Sequence, residues 1–267
     1  MNRYTILISV VAALGGLLFG FDTAVIAGAL ISLKSCFHLS AGSLGFIVAI
    51  SSVGCIPGAL FAGHLADQYG RKQMMIITAI FYGVAALGSG IAGGLAQLIL
   101  YRFIGGIAIG MASALAPIYI SEIAPPRFRG RLGMLQQLAN VAGILLSFIS
   151  NYLIANADHF SINANNQWRY MLGAALIPSL VFLALLLLVP ESPRWLMLKG
   201  DFIQATKIFS KIYPAASARA ESANVLEDIQ RHNSTAKFAE LFSVRYQKIV
   251  LIGFVFASIA QLTGINI

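Results

Sequence analysis

The chain has 267 residues, of which 58% are hydrophobic and 10% charged, with a formal net charge of +8. Globular proteins run near 45–50% apolar and about 25% charged, so an ordinary soluble domain and a disordered chain are both excluded. Two cysteines cannot build a disulfide framework, and no Cys/His spacing suits a metal. The basic residues are not interleaved with aromatics on a polar face, so nucleic acid is not an expected partner, and positive charge has the simpler use of orienting membrane spans.

Apolar blocks long enough to cross a bilayer lie at Thr5–Ile31, Ser43–Ala66, Met74–Leu95, Ala96–Ile120, Gly133–Ala155, Tyr170–Val189 and Ile249–Ile267. Arg3 ahead of the first block imitates a signal peptide, but the run continues past Asp22 without a cleavage site and reads as a span. With the N-terminus in the cytoplasm, fifteen of the eighteen Lys and Arg fall on the inner side; Lys34 and Arg169 lie outside and Arg102 inside a span. That asymmetry sets an N-in, multi-pass topology in a cell membrane.

Residues 1–190 are expected to form a six-helix transmembrane bundle, 191–248 a cytoplasmic amphipathic helical linker, and 249–267 an incomplete seventh span. In the linker, Gly200 stops a short helix begun at Arg194, and Asp201 caps the next with Gln204 three residues on. Phe202, Ala205, Ile208, Phe209 and Ile212 recur at helical spacing up to Pro214. Further amphipathic pieces are expected at Ala223–His232 and Ala236–Phe242. Glycines four apart, Gly16/Gly20, Gly54/Gly58, Gly90/Gly94 and Gly106/Gly110, predict close helix packing.

Asp22 and Arg102 interrupt apolar spans, where an ionisable group is costly unless paired or hydrated. Counting from the outer ends, Asp22 lies roughly 13 Å deep and Arg102 roughly 8 Å. One helical turn separates these depths, so the two side chains are within reach of each other. Their pairing is either a structural salt bridge or a titrating pair lining a cavity, and the second reading is favoured. At the cytoplasmic ends, Asp67, Glu122 and Glu191 face Arg71, Arg129 and Arg194 across three loops, as separate inner-face charges or as a network that ties helix ends in one conformation. Gln137, Gln261 and Asn266 offer carboxamides that match the donor and acceptor pattern of a polyol, with interhelical bonding as the alternative. Phe19, one turn before Asp22, offers a flat apolar face. No nucleophile, base and orienting group fall together, and His38, His64, His159 and His232 are scattered, so an enzyme is not expected.

Seven segments appear in order: GFDTAVIAGA (Gly20–Ala29), GHLADQYGRK (Gly63–Lys72), YRFIGGIAIG (Tyr101–Gly110), PIYISEIAPPRFRGRLG (Pro117–Gly133), QWRYMLG (Gln167–Gly173), PESPRWL (Pro190–Leu196) and QLTGIN (Gln261–Asn266). In these the chain resembles the sugar porter family of the major facilitator superfamily. The resemblance implies an all-α polytopic fold: the N-terminal six-helix bundle, the cytoplasmic helical linker and a truncated seventh transmembrane helix. It implies a monosaccharide substrate, hexose or pentose, and protons as the coupling ion, with no cofactor or metal.

Carried over by position, Asp22 and Arg102 match the proton-coupling pair, and Phe19, Gln137, Gln261 and Asn266 match sugar contacts. Asp67, Gly70, Arg71, Glu122, Arg129, Glu191 and Arg194 match the cytoplasmic gate. Facilitative glucose transporters usually carry a neutral residue at the aspartate position, so Asp22 favours symport over uncoupled transport. Ala260 replaces a glutamine common in the family, and Ile144 stands where a xylose-carrying member has glutamine, which leaves the sugar open. The family's transporters have two six-helix halves; this chain is expected to hold the first and to need a second, or otherwise to be a nontransporting fragment.

Overall fold

The computed structural model of the chain describes residues 2–156, 166–213, 218, 222–227 and 247–262. Among these the structure is helical throughout: α1 (Arg3–Phe37), α2 (Ala41–Tyr69), α3 (Arg71–Ile91), α4 (Leu95–Ile123), a 3-10 turn (Pro126–Phe128), α5 (Arg129–Ala155), α6 (Gln167–Gly173), α7 (Leu176–Leu188), α8 (Pro193–Leu198), α9 (Phe202–Ile212) and α10 (Gln247–Leu262). Among the described residues, six stretches are long and apolar enough to cross a membrane, the sixth being α6 and α7 taken together. The single sixth span expected from the sequence is thus broken at residues 174–175. Helix α1 has 35 residues, roughly 50 Å of helix, and so overruns the bilayer. It starts where the Asn2 side chain accepts from the Tyr4 amide and ends where His38 turns to φ 50°.

Glycine sets how the bundle closes. A Cβ on Gly16 or Gly20 of α1 would strike the backbone of Gln136 or Asn140 in α5, and one on Gly143 of α5 would strike Leu17. The α2–α4 pair uses the same device: Gly54 and Gly58 lie against Phe103 and Ile107, and Gly106 and Gly110 against Ser51 and Cys55. Without a hydrophobic drive between helices in lipid, such backbone-to-backbone approach is what dispersion and weak hydrogen bonds need. The α1–α5 and α2–α4 pairs are thus closed by the same device. Gly94 departs from the expected packing role: it has open space around it and serves as the N-cap of α4, while Gly90 packs on Arg169 and Gly173 of α6.

The α1 and α4 spans are each 61% buried within the chain, whereas α2 is 22% and α5 17% buried. The central helices therefore carry the protected groups, and α2 and α5 show apolar flanks such as Phe61, Leu138 and Leu145.

The chain divides into compact units Met1–Asn224 and Val225–Ile267. Helices α8 and α9 belong to the first. The Asp201 side chain accepts from the Gln204 amide at 3.0 Å, Gly200 has φ 84°, and Ala205, Ile208, Phe209 and Ile212 are buried. Phe202 departs from the expected stripe; it sits at the stripe's edge in the first turn and is 47% exposed. Residues 222–227 are helical and overlap the first amphipathic piece expected beyond α9, whose residues 228–232 lie outside the described residues, as does the second piece at 236–242. In the second unit α10 is one apolar helix of 16 residues.

Candidate functional site

Asp22 and Arg102 meet. Arg102 Nη1 donates to Asp22 Oδ1 at 2.6 Å, with side-chain exposures of 5% and 11%. The second carboxylate oxygen, Oδ2, accepts from the Ser51 hydroxyl of α2 at 3.0 Å. Asp22 thus joins α1, α2 and α4 at one point, where the two charges satisfy each other and the hydroxyl takes a remaining lone pair. Beside the pair is a cavity of about 10 Å³, lined by Asp22, Tyr82, Ser89, Tyr101 and Arg102 among others, about the room one water needs.

Ser51 escaped notice in the sequence because a serine in a small-residue span reads as packing. Its partner is 29 positions away, and nothing local announces it.

The carboxamides are less converged. Gln137 is exposed on α5, and Phe19 is half-buried on α1 one turn before Asp22. The neighbouring Gln136 makes the interhelical bond instead, donating to Ser113 O of α4 at 3.3 Å. Asn151, not singled out in the sequence, is buried and donates to Val25 O of α1. Gln261 is the last residue but one of α10 in the second unit, and Asn266 lies outside the described residues.

At the other end of the bundle, Arg71 opens α3 and is 6% exposed. Its Nε and Nη2 fork onto Glu122 of α4 at 2.9–3.2 Å. Nη2 also reaches Asp67 Oδ1 at 2.8 Å, and Nη1 donates to Ala66 O at 3.0 Å. This planar fork is the geometry in which arginine outperforms lysine.

Glu191 does something different. Its carboxylate accepts from the backbone amides of Lys72 (3.0 and 3.2 Å) and Ser192 (2.8 Å), so it caps the α3 N-terminus, where free amides and the helix dipole favour an anion. Gly70 permits this: its φ is 102°, and a Cβ there would collide with Glu191 Oε2. Trp195 Nε1 donates to Asp67 O at 3.0 Å and the Tyr119 hydroxyl to Pro190 O at 2.7 Å, tying the α7–α8 loop to the same place. Arg129 and Arg194 are exposed and make no ion pair among the described residues. The three-against-three arrangement expected from the sequence is here one arginine on two acids, with the third acid on backbone amides. Arg129 opens α5 directly after the 3-10 turn, and Arg194 follows the Ser192 cap and Pro193 in α8.

Six apolar spans packed through glycine, with an ion pair buried between the two central ones, describe a multi-pass membrane protein built like a major facilitator half. The profile of the family described as "Sugar (and other) transporter" matches residues 8–267. The chain is 36% identical over 263 residues to the arabinose-proton symporter of Bacillus subtilis (strain 168), covering 98% of this chain and 56% of that protein. It is 36% identical over 292 residues to the D-xylose-proton symporter of Escherichia coli (strain K12), covering all of this chain and 59% of the relative. Among solved structures, the major facilitator proton:xylose symporter XylE bound to 6-bromo-6-deoxy-D-glucose matches with a TM-score of 0.81 at 37% identity, over 87% of this chain and 54% of that one. The chain belongs to the sugar transporter family of the major facilitator superfamily, and these relatives are transporters, not enzymes. It spans a little over half the length of these relatives.

Proposed function

We propose that these residues form one half of a sugar:proton symporter working by alternating access, oriented with the N-terminus in the cytoplasm, and that a second six-helix half completes the pocket. The observation that carries this reading is the buried Asp22–Arg102 pair. With Asp22 ionised, Arg102 is held and α1 is fastened to α4. A proton on Asp22 cancels the attraction and leaves the guanidinium uncompensated, which shifts the balance between conformations that keep and that release this contact. Phe19, Gln137, Gln261 and Asn266 are assigned to the sugar. Asp67, Gly70, Arg71, Glu122, Arg129, Glu191 and Arg194 are assigned to the cytoplasmic gate, with Arg129 and Arg194 free to find partners on the second half. The fifteen inner-side Lys and Arg support the orientation.

A second reading has one observation in its favour. Asp22 already has both oxygens bonded, to Arg102 and Ser51, as a purely structural pair in an uncoupled facilitator would. Proteoliposomes containing these residues together with a second half separate the two. Under symport, Asp22→Asn abolishes sugar-driven proton uptake and retains sugar exchange between the two sides. Unchanged proton uptake in that variant rejects the coupling role. Sugar uptake by the 267-residue chain reconstituted alone rejects the need for a second half.

A further inference from the structure

We propose that the cytoplasmic end of the bundle holds a binding site for the headgroup of an anionic phospholipid, in the cleft between the starts of α1 and α3, the end of α7, and helices α8 and α9. The cleft has a volume of about 720 Å³ and is lined by Tyr4, Lys72, Leu187, Trp195, Lys207 and Lys211 among others. That size falls in the range of sites that enclose an organic ligand, well beyond a bare phosphate.

The charge balance points to an anion. Three lysines line the cleft against one carboxylate, Glu191, whose oxygens are already taken by the Lys72 and Ser192 amides. None of the three lysines lies within ion-pair distance of a carboxylate among the described residues. Lys72 Nζ donates to Leu187 O at 3.1 Å, which fixes its position and leaves further donors on the ammonium. Lys211 Nζ sits 5.7 Å from the centre of the Tyr4 ring, so its position is also set by the cleft wall.

The placement points to a lipid and not to a soluble anion. The Lys72–Leu187 bond puts an ammonium at the last turn of α7, where Leu187 and Leu188 are 63% and 78% exposed. A headgroup bound there has its acyl chains beside those leucines. Tyr4 and Trp195 are the amphipathic aromatics that settle at the headgroup level. Basic pockets between helices on the cytoplasmic side are where anionic headgroups are recognised. Headgroup binding there needs no transport activity and takes only its leaflet from the orientation proposed above.

Native mass spectrometry of the purified chain, delipidated and then exposed to equal amounts of phosphatidylglycerol and phosphatidylcholine, tests the site without reference to transport or sidedness. The expected result is retention of phosphatidylglycerol over phosphatidylcholine, with Lys207→Gln/Lys211→Gln lowering that preference about tenfold or more. The control Arg127→Gln/Arg131→Gln removes two exposed cations outside the cleft lining and is expected to leave the preference within about twofold. Lys207→Glu, a single exposed change, gives the same direction should the double variant lose helicity by circular dichroism. No preference in the unaltered chain, or equal losses in both double variants, overturns the site. Displacement of the lipid by millimolar glycerol 3-phosphate assigns the cleft to a soluble anion and overturns the lipid.

Discussion

Arg102 and Arg71 are both buried arginines, 5% and 6% exposed, but their surroundings differ. Arg102, within the span of α4, has one carboxylate to answer it, and that carboxylate has one further donor, Ser51. Arg71, at the start of α3 near the other end of the bundle, is answered by Glu122 on two donors, by Asp67 and by a backbone carbonyl. Redundancy makes the second cluster tolerant, because the loss of one acceptor leaves the others. Lack of redundancy makes the first sensitive to a single proton or a single substitution. A latch that must hold belongs with the former arrangement, and a group whose charge state decides a conformation belongs with the latter.

The largest effect is expected from breaking the single pair. Arg102→Leu leaves a buried carboxylate with only Ser51, at a cost of about 3–5 kcal/mol. Asp22→Asn/Arg102→Leu removes both charges and is expected to recover most of that loss. Thermal unfolding in detergent, followed through the free, half-buried Cys36 and Cys55 with a thiol-reactive dye, measures both. A double variant as unstable as the single one would mean that the pair is not the isolated unit described.

Arg71→Lys keeps the charge and loses the fork. One ammonium cannot reproduce the two-donor contact to Glu122 together with Asp67 and Ala66 O, so the expected cost is about 1.5–3 kcal/mol in the same unfolding measurement. A loss equal to that of Arg102→Leu would erase the distinction between the clusters. Gly70→Ala is expected to cost about 1–3 kcal/mol, since φ 102° with ψ 154° is a conformation open essentially to glycine and the new methyl meets Glu191. Gly70→Ala in a Glu191→Ala background, where that contact is gone, is expected to keep most of its cost, because the backbone strain does not depend on the neighbouring side chain. Full rescue would place the whole cost on the contact.

These clusters were unequally legible in the sequence. The spans, the Asp201 cap and the meeting of Asp22 with Arg102 follow from hydropathy, helical spacing and depth, each of which needs only local counting. The glycine pairs were legible as packing, but not Gly94, because spacing alone does not distinguish a helix interior from its cap. Ser51 and Gln136 were hidden for a different reason: whether a small or amide side chain points to a partner depends on how two helices rotate about their axes, and three-residue shifts in register change it. The assignment of Glu191 to backbone amides instead of an arginine was likewise invisible, since a capping carboxylate and a salt-bridging one look the same in a loop rich in both signs.

The smallest expected effect tests the redundancy directly. Asp67 lies four residues before Arg71 and bonds it at 2.8 Å, a distance as short as any in the cluster, yet its side chain is 68% exposed. An ion pair with one member in water contributes at most about 0.5–1 kcal/mol, and Arg71 keeps Glu122 and Ala66 O without it. Asp67→Asn is therefore expected to shift unfolding by about 0.5 kcal/mol or less, whereas Glu122→Gln, at a side chain only 9% exposed, is expected to cost about 1.5–3 kcal/mol. Equal effects from the two would show that the exposed Asp67 holds Arg71 as firmly as the buried fork does, and burial would then not be what ranks the acceptors of this arginine.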